Sequence, residues 1–234
     1  MNFLYLFAII PSVIFIVFVY KMDKIEKEPL SLLLKLFFFG MISCFPAMII
    51  ETFFDGLFLL FMDGGSLTYA LFSNFLGVAL VEEACKFVFL YIFTWKNKNF
   101  NFAFDGIVYA VCVGIGFAFL EDILYLMDGD LSTAIIRALL AIPGHGVYAI
   151  LMGHYYSQGK MLSNLGNKKG CKSRLIKALL IPIAFHGLYD FCLSVGSFLL
   201  VLGVLAIEVI LYIRAYKTLK LRSRVDRPLP PEHR

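Results

Sequence analysis

The chain has 234 residues, of which 60% are hydrophobic and 16% charged, and its formal net charge is +4. A soluble domain is roughly 45–50% apolar, so this composition excludes an ordinary water-soluble globule and indicates a polytopic membrane protein. The positive excess sits largely in loops and the C-terminal tail, where it reports topology and gives no support for nucleic-acid binding.

A membrane helix needs about 20 mostly apolar residues. By that measure about seven spans follow one another, at 2–20, 30–51, 67–95, 103–127, 132–156, 175–194 and 197–215. The expected fold class is therefore all-α, a transmembrane helix bundle over residues 1–221. The tail 222–234, rich in Pro and Arg, reads as disordered and suits anionic lipid. The first stretch has no basic n-region and no clear cleavage site, so it reads as a retained span and not as a signal peptide. Lys21, Lys24 and Lys27 follow span one, and residues 52–66 hold no Lys or Arg. Lys96 and Lys98 follow span three, only acids lie at 128–131, and Lys160, Lys168, Lys169, Lys172 and Arg174 follow span five. This alternation predicts an external N-terminus and a cytoplasmic C-terminus. The cysteines at 44, 85, 112, 171 and 192 show no paired spacing and read as small packing residues.

Ionisable residues then appear where hydrocarbon should be. Span three carries Glu82, Glu83 and Lys86, with Asn74 eight residues before Glu82 on the same helical face. Span four carries Glu121 and Asp122, with Tyr125 one turn on; span five carries His145; span six carries His186 and Asp190 at i,i+4. A charge at the bilayer centre costs about 3 kcal/mol or more, so such residues face a bundle interior and mark a functional site. At 1.5 Å of rise per residue, Glu121, Asp190 and His186 lie roughly 9, 6 and 12 Å from the outer boundary, and His145 roughly 20 Å. They suit one cavity reaching from the external side to the midplane. His154 falls on the opposite face from His145 and reads as a bystander. Five carboxylates face one amine, Lys86, so they cannot all ionise together in low dielectric. Plain structural readings stand beside this: a Glu83–Lys86 ion pair, a His186–Asp190 polar clamp, a capping or snorkelling Asp105, and a snorkelling Lys35 and Arg137. Glu208 has no partner evident in the sequence.

EEACK (Glu82–Lys86), FAFLED (Phe117–Asp122), His145 heading a glycine-containing helix, and HGLYD (His186–Asp190) occur in order on four spans. DKIEKEP (Asp23–Pro29) follows the first span. Over almost the whole chain this pattern resembles the PrsW family of bacterial intramembrane proteases, relatives of the type II CAAX prenyl endopeptidases and of the scaffold subunit of gamma-secretase. The resemblance implies a multi-pass protein of the bacterial cell membrane, acting within the lipid bilayer. It would make the first, site-1 cut in a single-pass anti-sigma factor under envelope stress, leading to release of an extracytoplasmic-function sigma factor. Glu82 and Glu83 match the paired glutamates of the family, Lys86 the following basic residue, Glu121 the second-motif glutamate, and His145 and His186 the two histidines. Asp122 departs from the Asn often found there.

No serine or cysteine stands beside a histidine as an evident nucleophile, so the chemistry points to direct attack by water. Glu82 or Glu83 is the expected general base. His145 and His186 would hold the water or stabilise the oxyanion, Glu121 and Asp190 would orient them, and Lys86 would set which glutamate is ionised. The related endopeptidases imply no metal cofactor. The alternative has zinc on Glu121, His145 and His186, with Glu82 or Glu83 as base. A different class, a proton or cation transporter using the acids as a relay, is disfavoured by the lack of an internal repeat.

Overall fold

The structure, a computed structural model, describes residues 3–231. The first residue of the expected first span and the last three of the expected tail lie outside it. Among the described residues the backbone forms seven continuous helical rods: α1 (Phe3–Met22), α2 (Leu30–Phe61), α3 (67–94), α4 (Asp105–Asp128), α5 (Leu131–Asn164), α6 (Lys168–Val195) and α7 (Phe198–Arg224). No strand occurs there, only an isolated bridge between Phe102 and Pro228. Six rods are long and apolar enough to cross a membrane. The remaining rod, α3, has its apolar run diluted by Asn74, Glu82, Glu83 and Lys86.

Several helices outrun their expected ends. α2 continues from residue 51 to Phe61, α6 starts at Lys168, and α7 ends at Arg224. Hydropathy reports the apolar band alone, whereas helix propagation continues while each added residue gains a hydrogen bond.

α4 is the axis of the bundle. Its buried residues run unbroken from Asp105 to Ala118, and 72% of its apolar window is buried against 22% in α1 and in α7. Glycine makes this closeness possible on both sides. A Cβ built on Gly40 of α2 would stand 2.1 Å from the Val113 carbonyl oxygen, and one on Gly116 would stand 2.1 Å from that of Phe37. A Cβ on Gly153 of α5 would meet the Gly106 carbonyl oxygen at 2.5 Å. The peripheral rods turn large apolar side chains outward, among them Ile14, Ile49, Phe53 and Leu199, as a lipid-facing surface does.

Two π-helical segments interrupt the rods, Ser73–Ala79 in α3 and Arg137–Ala141 in α5. Each precedes an ionisable cluster, Glu82–Lys86 and His145. A π segment inserts a residue into a turn and so re-aims every side chain beyond it. Pro182 lies inside α6 one turn before His186 and removes the N–H that would bond the Ala178 carbonyl.

At the end of the bundle that carries loop 23–29, the chain is stitched by polar contacts. Asp105 accepts from the backbone N–H groups of Asn101 (3.0 Å) and Phe102 (2.7 Å), so it caps loop 101–104. Glu28 accepts from the Tyr109 hydroxyl at 2.7 Å. Residues 225–231, which the sequence reads as the start of a disordered tail, lie against loop 101–104. Asp226 accepts from Phe104 N–H, Arg227 C=O from Ala103 N–H, and Asn101 C=O from Leu229 N–H. The backbone groups of a Pro-rich segment find partners there that composition alone does not reveal.

Two expectations follow. Gly116→Ala drives a methyl into the Phe37 carbonyl, so stability falls by about 1–3 kcal/mol, read as a lower melting temperature of the detergent-purified protein. Gly203→Ala, whose Cβ meets nothing within 4 Å, leaves the melting temperature unchanged or higher. The second concerns pH. Burial, the largest influence, raises Asp23 to about 6 and Glu28 to about 7. The fold therefore binds protons more tightly than the unfolded chain does. Stability is greatest below the ordinary carboxylate value near ~4 and is lost as pH rises through about 7. Melting temperatures measured from pH 5 to pH 8 should fall, and Glu28→Gln should flatten that slope; an identical slope in the variant would overturn the assignment.

Candidate active site

Glu82, Glu83 and Lys86 lie on consecutive faces of α3 just after its π segment, and all three are buried. The Lys86 ammonium bonds Glu82 Oε2 at 2.9 Å and Glu83 Oε1 at 2.8 Å. It also stands 3.1 Å from His145 Nδ1. An ammonium only donates, so Nδ1 of His145 accepts and its proton resides on Nε2. That Nε2 stands 3.0 Å from Glu121 Oε2. The other oxygen of Glu121 is 3.0 Å from Arg137 Nη2, and Arg137 Nε donates to Asp122 at 2.6 Å. The Arg137 guanidinium lies over the Tyr125 ring at 3.9 Å.

A second chain of contacts meets the first at Glu83. His186 Nδ1 stands 3.0 Å from Glu83 Oε1, and its Nε2 stands 3.1 Å from Asp190 Oδ2. Two carboxylates on two nitrogens are satisfied in full only by a doubly protonated ring. Tyr148 stacks on His186 at 5.3 Å and donates its hydroxyl to Glu208 of α7 at 2.6 Å. The His145 and His186 rings are 5.1 Å apart, edge to face.

These groups border a cavity of about 790 Å³ between α2, α3, α4, α5 and α6. Glu82, Glu121, His145, His186, Asp190 and Arg137 line it, with Asn74 and Tyr125 farther along its wall. Glu83, Lys86 and Asp122 do not line it; they form the layer behind. Asn74 donates to Ser194 Oγ at 2.8 Å and so ties α3 to α6.

All ten site residues expected from the sequence are thus gathered in one region, but several details differ. Arg137 does not snorkel: it is a second cation inside the cluster, and with Lys86 it answers the apparent excess of acid. Asp190 faces His186, its neighbour one turn away on the same helix. Glu208, without a partner in the sequence reading, holds Tyr148. Glu121 and His145, which depth arithmetic separates by roughly 10 Å, meet at 3.0 Å in the packed bundle. Sequence reasoning missed Glu51 of α2, which also lines the cavity. A lone acid in the apolar run PAMIIETFF was the available signal, masked by ending the span there.

Among the described residues, Glu82, Glu83, His145 and His186 each offer one ligand atom, all within 4.8 Å of one another. Two carboxylates and two imidazoles suit zinc in type and number. The Lys86 ammonium, bonded to Glu82 and Glu83 and close to His145, acts there as a stand-in cation. This set differs from the expected Glu121, His145 and His186, because Arg137 holds Glu121 on the far ring nitrogen of His145.

A helical bundle with buried acids and imidazoles around one cavity suits, in residue type, a membrane-embedded hydrolase. Residues 28–215 match the family model described as PrsW family intramembrane metalloprotease. A protein named Protease PrsW from Geobacillus kaustophilus is 36% identical over 186 residues, covering 80% of this chain and 77% of that one. Its namesake from Halalkalibacterium halodurans is 30% identical over 220 residues, covering 94% and 97%, and that from Bacillus subtilis is 32% identical over 190, covering 81% and 82%. No solved structure matches. The chain belongs to the PrsW family: it is a peptidase and a multi-pass membrane protein, and the transporter alternative falls away.

Removing the central cation tests the cluster. Lys86→Met leaves the buried Glu82 carboxylate without its cation and Glu83 with His186 alone, a cost of about 3–5 kcal/mol, so folded protein on size-exclusion chromatography should drop sharply. Adding Glu82→Gln and Glu83→Gln to Lys86→Met should restore much of it. A Lys86→Met protein as stable as the parent would show that the ammonium is dispensable to the fold.

Proposed function

We propose that the chain is an intramembrane endopeptidase that makes the first, site-1 cut in a single-pass anti-sigma factor, in the envelope stress response that frees an extracytoplasmic-function sigma factor. The observation that carries the chemistry is the clustering of Glu82, Glu83, His145 and His186 within 4.8 Å of one another, three of them bordering one cavity inside an apolar bundle and Glu83 directly behind. The family resemblance supplies the substrate class. Alternating basic and non-basic loops support an external N-terminus and a cytoplasmic C-terminus, with residues 1–221 as the catalytic bundle.

Glu82 is the carboxylate of the pair that lines the cavity, so it is the general base for a water there. Glu83, one layer back, fixes Lys86 and His186. Arg137 clamps Glu121, Glu121 holds Nε2 of His145, and the imidazole keeps a set orientation. His186, protonated between Glu83 and Asp190, is suited to stabilise an oxyanion or to give a proton to the leaving amine. A zinc ion on Glu82, Glu83, His145 and His186 would supply a Lewis acid and a more acidic water, which is the second reading and the one the family description favours.

Co-expression with single-pass anti-sigma factors of the same genome should yield a shortened product cut at or outside the outer membrane boundary. Glu82→Gln and Glu83→Gln should each lower cleavage by roughly 10²-fold or more while the protein stays in the membrane. Full activity in both variants would remove the pair from the mechanism. Elemental analysis of active protein, with chelation and metal return, separates the two readings: stoichiometric zinc whose loss abolishes cleavage supports the metal, and unaffected cleavage supports glutamate alone.

A further inference from the structure

Away from the cavity, a second and smaller one of about 50 Å³ opens at the end of the bundle where α5, α7 and the tail meet. By volume it holds ~4 waters or one tetrahedral oxyanion, and no acyl chain. His154, Ser157 and Gln158 of α5 line it together with Arg222 of α7 and Arg227 of the tail. None of these residues belongs to the catalytic cluster.

Among the described residues, the side chains lining this cavity include two guanidinium groups, a hydroxyl and an amide, and no carboxylate. Arg222 Nε donates to His154 Nδ1 at 3.2 Å. That nitrogen must therefore accept, so the ring proton lies on Nε2, 2.7 Å from Gln158 Nε2. Turning the Gln158 amide over would bring its oxygen to this proton and its NH₂ to the cavity side. Ser157 is buried, and its hydroxyl has no partner. The terminal nitrogens of Arg222 and Arg227 make no ion pair among the described residues, and the contact found for Arg227 is a weak one to Met161 Sδ at 3.7 Å. Arg174 of α6 adds its positive field to both Arg222 and His154. Asp226 is turned away, its Oδ1 accepting the backbone N–H groups of Phe104 and Arg227.

A buried hydroxyl left without a partner costs about 1–3 kcal/mol, and two guanidinium forks beside it call for an acceptor with several oxygens. Phosphate meets that geometry better than a single carboxylate, because it offers oxygens to both forks and to the hydroxyl at once. We propose that the cavity bounded by His154, Ser157, Gln158, Arg222 and Arg227 binds a phosphate group, which at this basic end of a membrane bundle is supplied by an anionic phospholipid headgroup or by free phosphate.

The full chain, purified in detergent, is titrated with phosphatidylglycerol and with phosphatidylcholine, and bound lipid is counted by native mass spectrometry. Inorganic phosphate is titrated separately against the melting temperature. Retention of phosphatidylglycerol that falls roughly tenfold or more in R222Q/R227Q, but less than twofold in the equally discharged K217Q/K220Q, supports a lipid phosphate. A melting temperature raised by millimolar inorganic phosphate in the parent and not in R222Q/R227Q supports a free one. If R222Q/R227Q does not fold, S157A/R227Q serves in its place, with the same losses expected. Equal loss in the arginine and lysine variants, or no effect of either ligand on the parent, overturns the proposal.

Discussion

The Lys86 ammonium is the contact on which the rest of the site depends. It sits among Glu82, Glu83 and His145, all buried in a bundle whose surroundings are apolar. Each of these groups would be costly in that medium alone, since burying an unpaired charge exceeds any packing gain nearby. With the amine present they become a connected network. It fixes which nitrogen of His145 bears the proton, and through Glu121 and Arg137 it reaches the opposite wall of the cavity. The proposed catalytic role draws on this arrangement, in which a carboxylate and two imidazoles are held in place by their own partners.

The scaffold answers to the same requirement. α4 can sit at the centre only because Gly40, Gly116 and Gly153 let backbones touch. That closeness brings Glu121 and Asp122 within reach of α5. The two π segments do complementary work, since each shifts the helical phase just ahead of the residues that enter the cluster. Arg137 lies on one of them, which is how a residue near a helix end comes to point inward. The layers also divide labour. Glu82, Glu121, His145 and His186 border the cavity, whereas Glu83, Lys86 and Asp122 stand behind them. Adjacent carboxylates on one helix thereby acquire different surroundings.

Much of this was legible in the chain. Apolar runs of spanning length predict the rods, and a charge inside such a run predicts an inward-facing site. EEACK, FAFLED, His145 and HGLYD supplied the family, which the matched relatives bear out, and the expected site residues, which the fold gathers in one region. What escaped is equally specific. Arg137 was read as a snorkelling residue, Glu51 fell at the end of a span, Glu208 had no partner, and the contacts of residues 225–231 with loop 101–104 were not foreseen.

The sequence by itself determined that this is a membrane helix bundle and which helices carry ionisable residues inside apolar runs, because hydrophobic runs and the cost of charge in lipid are local properties of the chain. The tertiary structure decided who faces whom: that Arg137 and not solvent meets Glu121, that Tyr148 meets Glu208, that Asp190 meets His186, and that Glu82 rather than Glu83 borders the cavity. Those pairings depend on helix tilt, on glycine-permitted closeness and on phase shifts within rods. None of these is a property of spacing along one helix, so only the packed bundle could fix them.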